Sequence, residues 1–318
     1  MLIGRSVLLA GIIGTLAFAG LTIPSVAAAD GDGHALDVVE RVAPNQGLIL
    51  APDADLVVEG ENATVELPTT HDAPVVLTRT NDGARVEVDL PREAELENAA
   101  SVDGRSVVYG ARGRGGADVV AQALADGSVQ IQTVIGSADS PHTFTYDVGL
   151  PEDAVLRLDD NGGVVALGSD GAFLVGFAPP WAAGADGASV PTWYRVEGSS
   201  VVQVVEPGAN VTYPVVADPW LGIALIDNVT RSYYSGQGYR YFVYPSWWGR
   251  VGAGALARWA AWSEAKSYYY AMDRPNLTDQ FYCHFDGRLA TFAKGSWNLE
   301  SWRPDVSYAA TLAAGCNP

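Results

Sequence analysis

Near Tyr213-Pro-Val-Val-Ala-Asp-Pro-Trp220 the character of this chain changes so sharply that no fold of uniform composition fits both sides. Beyond this point lie both cysteines, both lysines and six of the nine tryptophans; before it lie 30 of the 37 carboxylates. Two modules are therefore expected, residues 30–220 and 221–318, behind an amino-terminal export segment.

In that segment, residues 1–29, Arg5 is the only charge. The run from Ser6 to Ile23 is mostly apolar, Pro24 breaks it, and Ala27-Ala28-Ala29 supplies small residues for cleavage before Asp30. A retained anchor is the alternative, because the run approaches spanning length. Gly11, Gly14, Gly20 and the alanine-rich exit favour a cleaved signal peptide, and no cysteine nearby offers a lipid attachment point. No later stretch of about 18 apolar residues occurs. The expectation is a secreted, extracellular protein with no membrane association after cleavage.

Charge separates the modules further. Residues 30–220 carry 30 Asp and Glu against nine Arg, whereas residues 221–318 carry seven against nine Lys and Arg. So acidic a surface repels phosphate backbones, and the scattered cations of the tail form no stripe, so nucleic acid is not an expected partner.

Residues 35–216 read as all-β, an antiparallel sandwich or barrel, with short alternating runs between Gly, Asp and Asn turns. Val75 to Thr80 turns through Asn81-Asp82-Gly83 into Val86, Val88 and Leu90. Val129 and Ile131 alternate with Gln130 and Gln132, placing the glutamines on a polar face. A hairpin joins Val155-Leu-Arg-Leu158 to Val164-Val-Ala-Leu167 through Asn161-Gly162. The Gly110 to Gly116 cluster lacks the third glycine of a phosphate loop, since Asp118 stands there, and reads as a surface loop. His34, His71 and His142 have no ligand spacing. Asp159, Asp160 and Asn161 offer oxygens for a loose calcium site but lack the alternating loop pattern, so neither metal nor cofactor is expected.

The tail reads as a small α+β unit. Residues 231–244 alternate aromatic and polar side chains through Ser235-Gly-Gln-Gly238, as in a hairpin. A helix is expected over 253–272, stopped by Asp273-Arg274-Pro275, with Leu256, Trp259, Ala260, Ser263, Ser267 and Tyr270 facing the core. Arg258, Trp262, Lys266 and Tyr269 fall on a second face, the candidate binding face. Six Trp, ten Tyr and four Phe crowd this module. Such rings suit half-apolar ligands, and equally the core of a small domain.

Cys283 and Cys316 are the only thiols, and export would pair them in a disulfide. The alternative is a Cys283 nucleophile, for which His284, adjacent on a strand, would be badly placed as a base. His284 with Asp286, two residues apart and on one face if this segment is a strand, is the only acid/base candidate. A structural histidine is the plainer reading.

Two resemblances follow from longer motifs. Gly176-Phe-Ala-Pro-Pro-Trp181, Val190-Pro-Thr-Trp-Tyr194, Val201-Val-Gln-Val-Val205 and Tyr213-Pro-Val-Val-Ala-Asp-Pro219 resemble a β-rich front end of exported actinobacterial proteins, which precedes varied carboxy-terminal modules. Asp279-Gln-Phe-Tyr-Cys-His284, Ser296-Trp-Asn-Leu-Glu-Ser-Trp-Arg-Pro304 and Cys316-Asn-Pro318 resemble the exported bacterial family called domain of unknown function 2599, over residues 239–318. This second resemblance implies a shared fold and the disulfide, and no activity. The leading expectation is a non-catalytic binding protein of the envelope or extracellular space. The other is a hydrolase or toxin-like effector using His284 with Asp286.

Overall fold

The computed structural model describes residues 30–318 apart from 102, 114, 291 and 292; the expected signal peptide, residues 1–29, lies outside the described residues. The chain opens with helix α1, Asp30–Val42. Its Ala35, Val38 and Val39 recur at helical spacing and are buried against Val108, Val120, Val134 and Val216 of a sheet. The β-rich reading of this region missed the helix, because Gly31 and Gly33 interrupt its first turns.

Residues 57–222 form two antiparallel sheets, of seven and ten strands among the described residues. They enclose one core, to which the first gives Val65, Leu77, Phe144 and Val201 and the second gives Val119, Ile131, Phe177 and Leu221. The expected hairpins form, with Val75 opposite Val88 and Leu158 opposite Val164. One expectation fails on Val129–Ile135, whose whole length is buried, Gln130 and Gln132 included. The outer face of that sheet is covered at this strand. Helix α1 covers part of it and the tail covers another part.

Val215–Ala217 is a strand, and Trp220–Gly222 is another, paired to Phe177 and to Val129. Between them Asp218 is buried, accepting hydrogen bonds from the Trp181 amide at 3.0 Å and Gln203 Nε2 at 3.1 Å. Burial pushes its carboxyl up to about 8, so it sits protonated at neutral pH.

The tail is α+β. Strands Ile226–Tyr234 and Gly238–Pro245 make a hairpin, with Trp297–Glu300 added beside the second. Among the described residues, four α-helices follow the hairpin: α2 Trp247–Val251, α3 Ala257–Ser267, α4 Pro275–Asp286 and α5 Tyr308–Ala313. Helix α3 is shorter than the sequence suggests and is turned differently. Ala257, Ala260, Ala261, Trp262 and Ala265 face inward, while Trp259 and Tyr270 stand 48% and 90% exposed. The alanine stripe packs closely and wins the core side over bulkier neighbours. No helix of the described residues is long and apolar enough to cross a membrane.

The tail packs directly on the β-module. The tail cluster of Trp248, Trp262, Phe281 and Trp297 also contains Val165, Phe173, Ala178 and Trp220 of the β-module. Trp248 lies over Gly176 and Gly222, where any Cβ would overlap its ring. Asp159, Asp160 and Asn161, the loose calcium candidates, hold the tail instead. Asp160 accepts from the Ala255 amide at 3.1 Å, Asp159 accepts from the Leu256 amide at 3.1 Å, and Asn161 Nδ2 donates to the Gly252 carbonyl at 3.3 Å.

Candidate functional site

Cys283 and His284 lie on helix α4, not on a strand, and this removes the expected acid/base pair. Two residues along a helix turn by about 200°, so His284 and Asp286 leave on opposite sides. The Asp286 carboxylate accepts from Arg258 Nη1 at 2.9 Å and from the Tyr308 hydroxyl. His284 is buried beside the Trp297 ring, and its Nε2 donates to the Asn298 carbonyl at 3.3 Å. Burial, aided by the Lys294 charge, lowers its pKa to about 4 and keeps the ring neutral. An enclosed, hydrogen-bonded imidazole without a carboxylate beside it serves the core.

The Cys283 nucleophile reading also falls. Cys283 is joined to Cys316 by a disulfide, with Cα atoms 5.3 Å apart, and the bridge fixes the carboxy-terminal segment to α4. Around it the backbone and carboxylate of the Asn298-Leu-Glu300 stretch are tied into the fold, while the Trp297 indole nitrogen is buried without a partner among the described residues. Gln280 Nε2 donates to the Glu300 carbonyl and its Oε1 accepts the Glu300 amide, at 3.1 and 2.8 Å, completing the strand edge as another strand would. The buried Glu300 carboxylate takes Arg240 at 2.6 Å and Arg303. Burial works against its charge, but the hydrogen bonds from Arg303 and Arg240 outweigh it and hold Glu300 below its ordinary pKa. Asn317 Nδ2 donates to the Asn298 carbonyl and Arg303 Nη1 to the Pro318 carbonyl, each at 3.1 Å.

The four candidate binding residues separate into different surroundings. Trp262 is buried against Phe281, with ring centroids 5.2 Å apart, and is no ligand anchor. Arg258 pairs with Asp286 and lies over the Tyr282 ring, and Lys266 pairs with Asp273 at 3.3 Å. Only Tyr269 joins an open aromatic face. That face is the outer end of the 226–245 hairpin. On one side of the hairpin Val229, Tyr241 and Val243 are buried under the helices, and the same alternation carries Arg231, Tyr233 and Tyr239 out into solvent.

The Arg231 guanidinium lies over two rings, 4.7 Å from the Tyr239 centroid and 4.5 Å from that of Tyr269. No carboxylate of the described residues forms an ion pair with it. Tyr233 stands 64% exposed, edge to face with Tyr239 at 5.2 Å. The arrangement presents ring faces, hydroxyls and a charged donor fork together. Sequence reasoning passed over Arg231, Tyr233 and Tyr239, although the alternation that identified the hairpin already placed them on one side.

A second concavity, of about 790 Å³, lies in the β-module among His71, Asp89, Arg92, Arg112 and Asp147. Its charges are directed largely at one another. Arg92 pairs with Asp147, and Arg112 Nη2 lies 2.9 Å from His71 Nε2. Burial and the neighbouring Asp147 raise the pKa of Asp89.

Residues 228–318 match the model of a family described as Protein of unknown function (DUF2599). The uncharacterized proteins Rv0477 of Mycobacterium tuberculosis and Mb0487 of Mycobacterium bovis are each 41% identical to this chain over 80 residues. Those residues are 24% of this chain and 54% of each relative, so the chain spans about half the length of the relatives it matches. The tail of this protein thus matches that family's model, and part of the chain is similar to uncharacterized mycobacterial proteins.

Proposed function

We propose that this is an exported, non-catalytic binding protein whose ligand face is the outer end of the tail hairpin. The observation that carries this reading is Arg231, exposed, free of any carboxylate among the described residues, and laid over Tyr239 and Tyr269 beside exposed Tyr233. Such a face suits a ligand with flat half-apolar surfaces and hydrogen-bond acceptors, as in a saccharide chain of the envelope or extracellular space. The Ala27-Ala28-Ala29 site and the Cys283–Cys316 bridge support export. The hydrolase alternative has lost its one pair of groups, since His284 and Asp286 do not meet.

The test is co-sedimentation of the purified protein with isolated cell-wall polysaccharide, backed by a soluble glycan array. Arg231→Ala combined with Tyr233→Ala should weaken binding by roughly tenfold or more, as loss of central aromatic and arginine anchors does. Binding unaffected by that pair of changes, or no binding to any glycan, would refute the reading.

A further inference from the structure

The seam between the modules holds a pocket of about 130 Å³ lined by Glu61, Asn62, Arg79, Asp227, Glu264 and Tyr268 among others. The β-module supplies one wall and the tail the other. Glu264, on α3, accepts the Leu225 amide at 3.0 Å through Oε2, while its Oε1 is buried without a protein partner. Asp227, at the start of the hairpin, accepts from Asn62 Nδ2 at 2.7 Å, and its own carbonyl accepts from the Tyr268 hydroxyl at 3.0 Å. Buried Arg79 reaches the same place but directs its donors at the Ile223 and Phe173 carbonyls and at Asp82.

We propose that this seam is a pH-responsive latch, closed in mildly acidic surroundings and loosened toward neutral and alkaline pH as Glu264 and Asp227 ionise.

The charges facing the two carboxyls do not cancel them. Glu264 faces Arg79 and Asp227; Asp227 faces Glu61, Asp126 and Arg250, so like charge is present on both sides of the seam. Burial, the dominant cause, raises Glu264 from 4.5 to about 7 and Asp227 from 3.8 to about 6. Between the ordinary and raised values the closed seam binds more protons than the open one. Closure is therefore fully favoured below that window and weakens as pH climbs through it. Each unit of raised pKa corresponds to about a tenfold change in the opening equilibrium.

Hydrogen exchange on the full secreted chain, corrected for the pH dependence of intrinsic exchange, tests the latch at the Leu225 and Ile226 amides. The opening ratio should rise roughly tenfold or more between about pH 5.5 and 8. Glu264→Gln with Asp227→Asn should flatten that rise to within about threefold. A flat wild-type profile, or a double variant that keeps the wild-type slope, overturns the proposal. Should the double variant fail to fold, a carboxyl-carbon titration of wild-type Glu264 decides the matter: a midpoint near 7 upholds the latch and one in the ordinary range overturns it.

Discussion

The tail has two ends that differ in what they do with aromatic and charged side chains. At the disulfide end, Trp297, His284, Gln280 and Glu300 are buried within the fold, and half-buried Arg303 pairs with Glu300. At the hairpin end, Arg231, Tyr233 and Tyr239 continue the core's alternation past the last covering helix, and they stand exposed among the described residues. The end with the most specific motif is scaffold, and the end with an ordinary hairpin pattern holds the open chemistry. Motif specificity here reports packing demands, since a buried amide or carboxylate accepts few substitutes, whereas an exposed ring accepts several.

The sharpest way to break that contrast is Trp297→Ala. Its ring packs on Phe281, Phe285 and His284, and its removal should cost about 3–5 kcal/mol in denaturant unfolding. A loss near zero would mean the disulfide end is not the scaffold. Replacing Cys283 and Cys316 by serine should cost on the order of 2–5 kcal/mol by the same measurement, with no gain of thiol reactivity to report in the native protein.

A pH experiment comes next. Because folding lowers the His284 pKa from 6.5 to about 4, its contribution is complete above 6.5 and is lost as pH falls toward 4. His284→Gln, which keeps a donor for the Asn298 carbonyl, should remove that acid-side loss; the wild-type minus variant difference isolates it from the opposite slope of Glu264 and Asp227. The smallest stability effect belongs to the hairpin end. Arg231→Ala should change unfolding free energy by no more than about 0.5 kcal/mol, and a cost of several kcal/mol would make that end structural too.

The sequence displayed strands more openly than partners. Val75 to Leu90 and Val155 to Leu167 were legible because alternation and a glycine turn are local signals. Gln130 and Gln132 misled because their burial depends on helix α1 and the tail arriving from far along the chain. His284 misled for a different reason. Residues 279–284 carry aromatic and β-favouring side chains that suit a strand, yet Pro275 at the first turn starts a helix whose Leu277, Phe281 and Phe285 stripe has helical spacing. Helical spacing from Leu256 and Trp259 puts Trp262 on a second face, whereas the small alanines at 257, 260, 261 and 265 are the better guide to the tightly packed side.

Helix α3 begins without a capping side chain of its own; Leu256 stands at its start, and the Ala255 and Leu256 amides that lead into it are received by Asp160 and Asp159, nearly a hundred residues upstream. Ownership of that helix is therefore divided. A tail cut free at residue 228 would carry the α3 sequence but leave behind the acceptors that hold the two residues leading into it, along with the glycine floor beneath Trp248. Grafting this tail behind an unrelated front unit would work only if the new neighbour offered a carboxylate turn at the same spot, or if a serine or aspartate were introduced at the helix start to do the work in place.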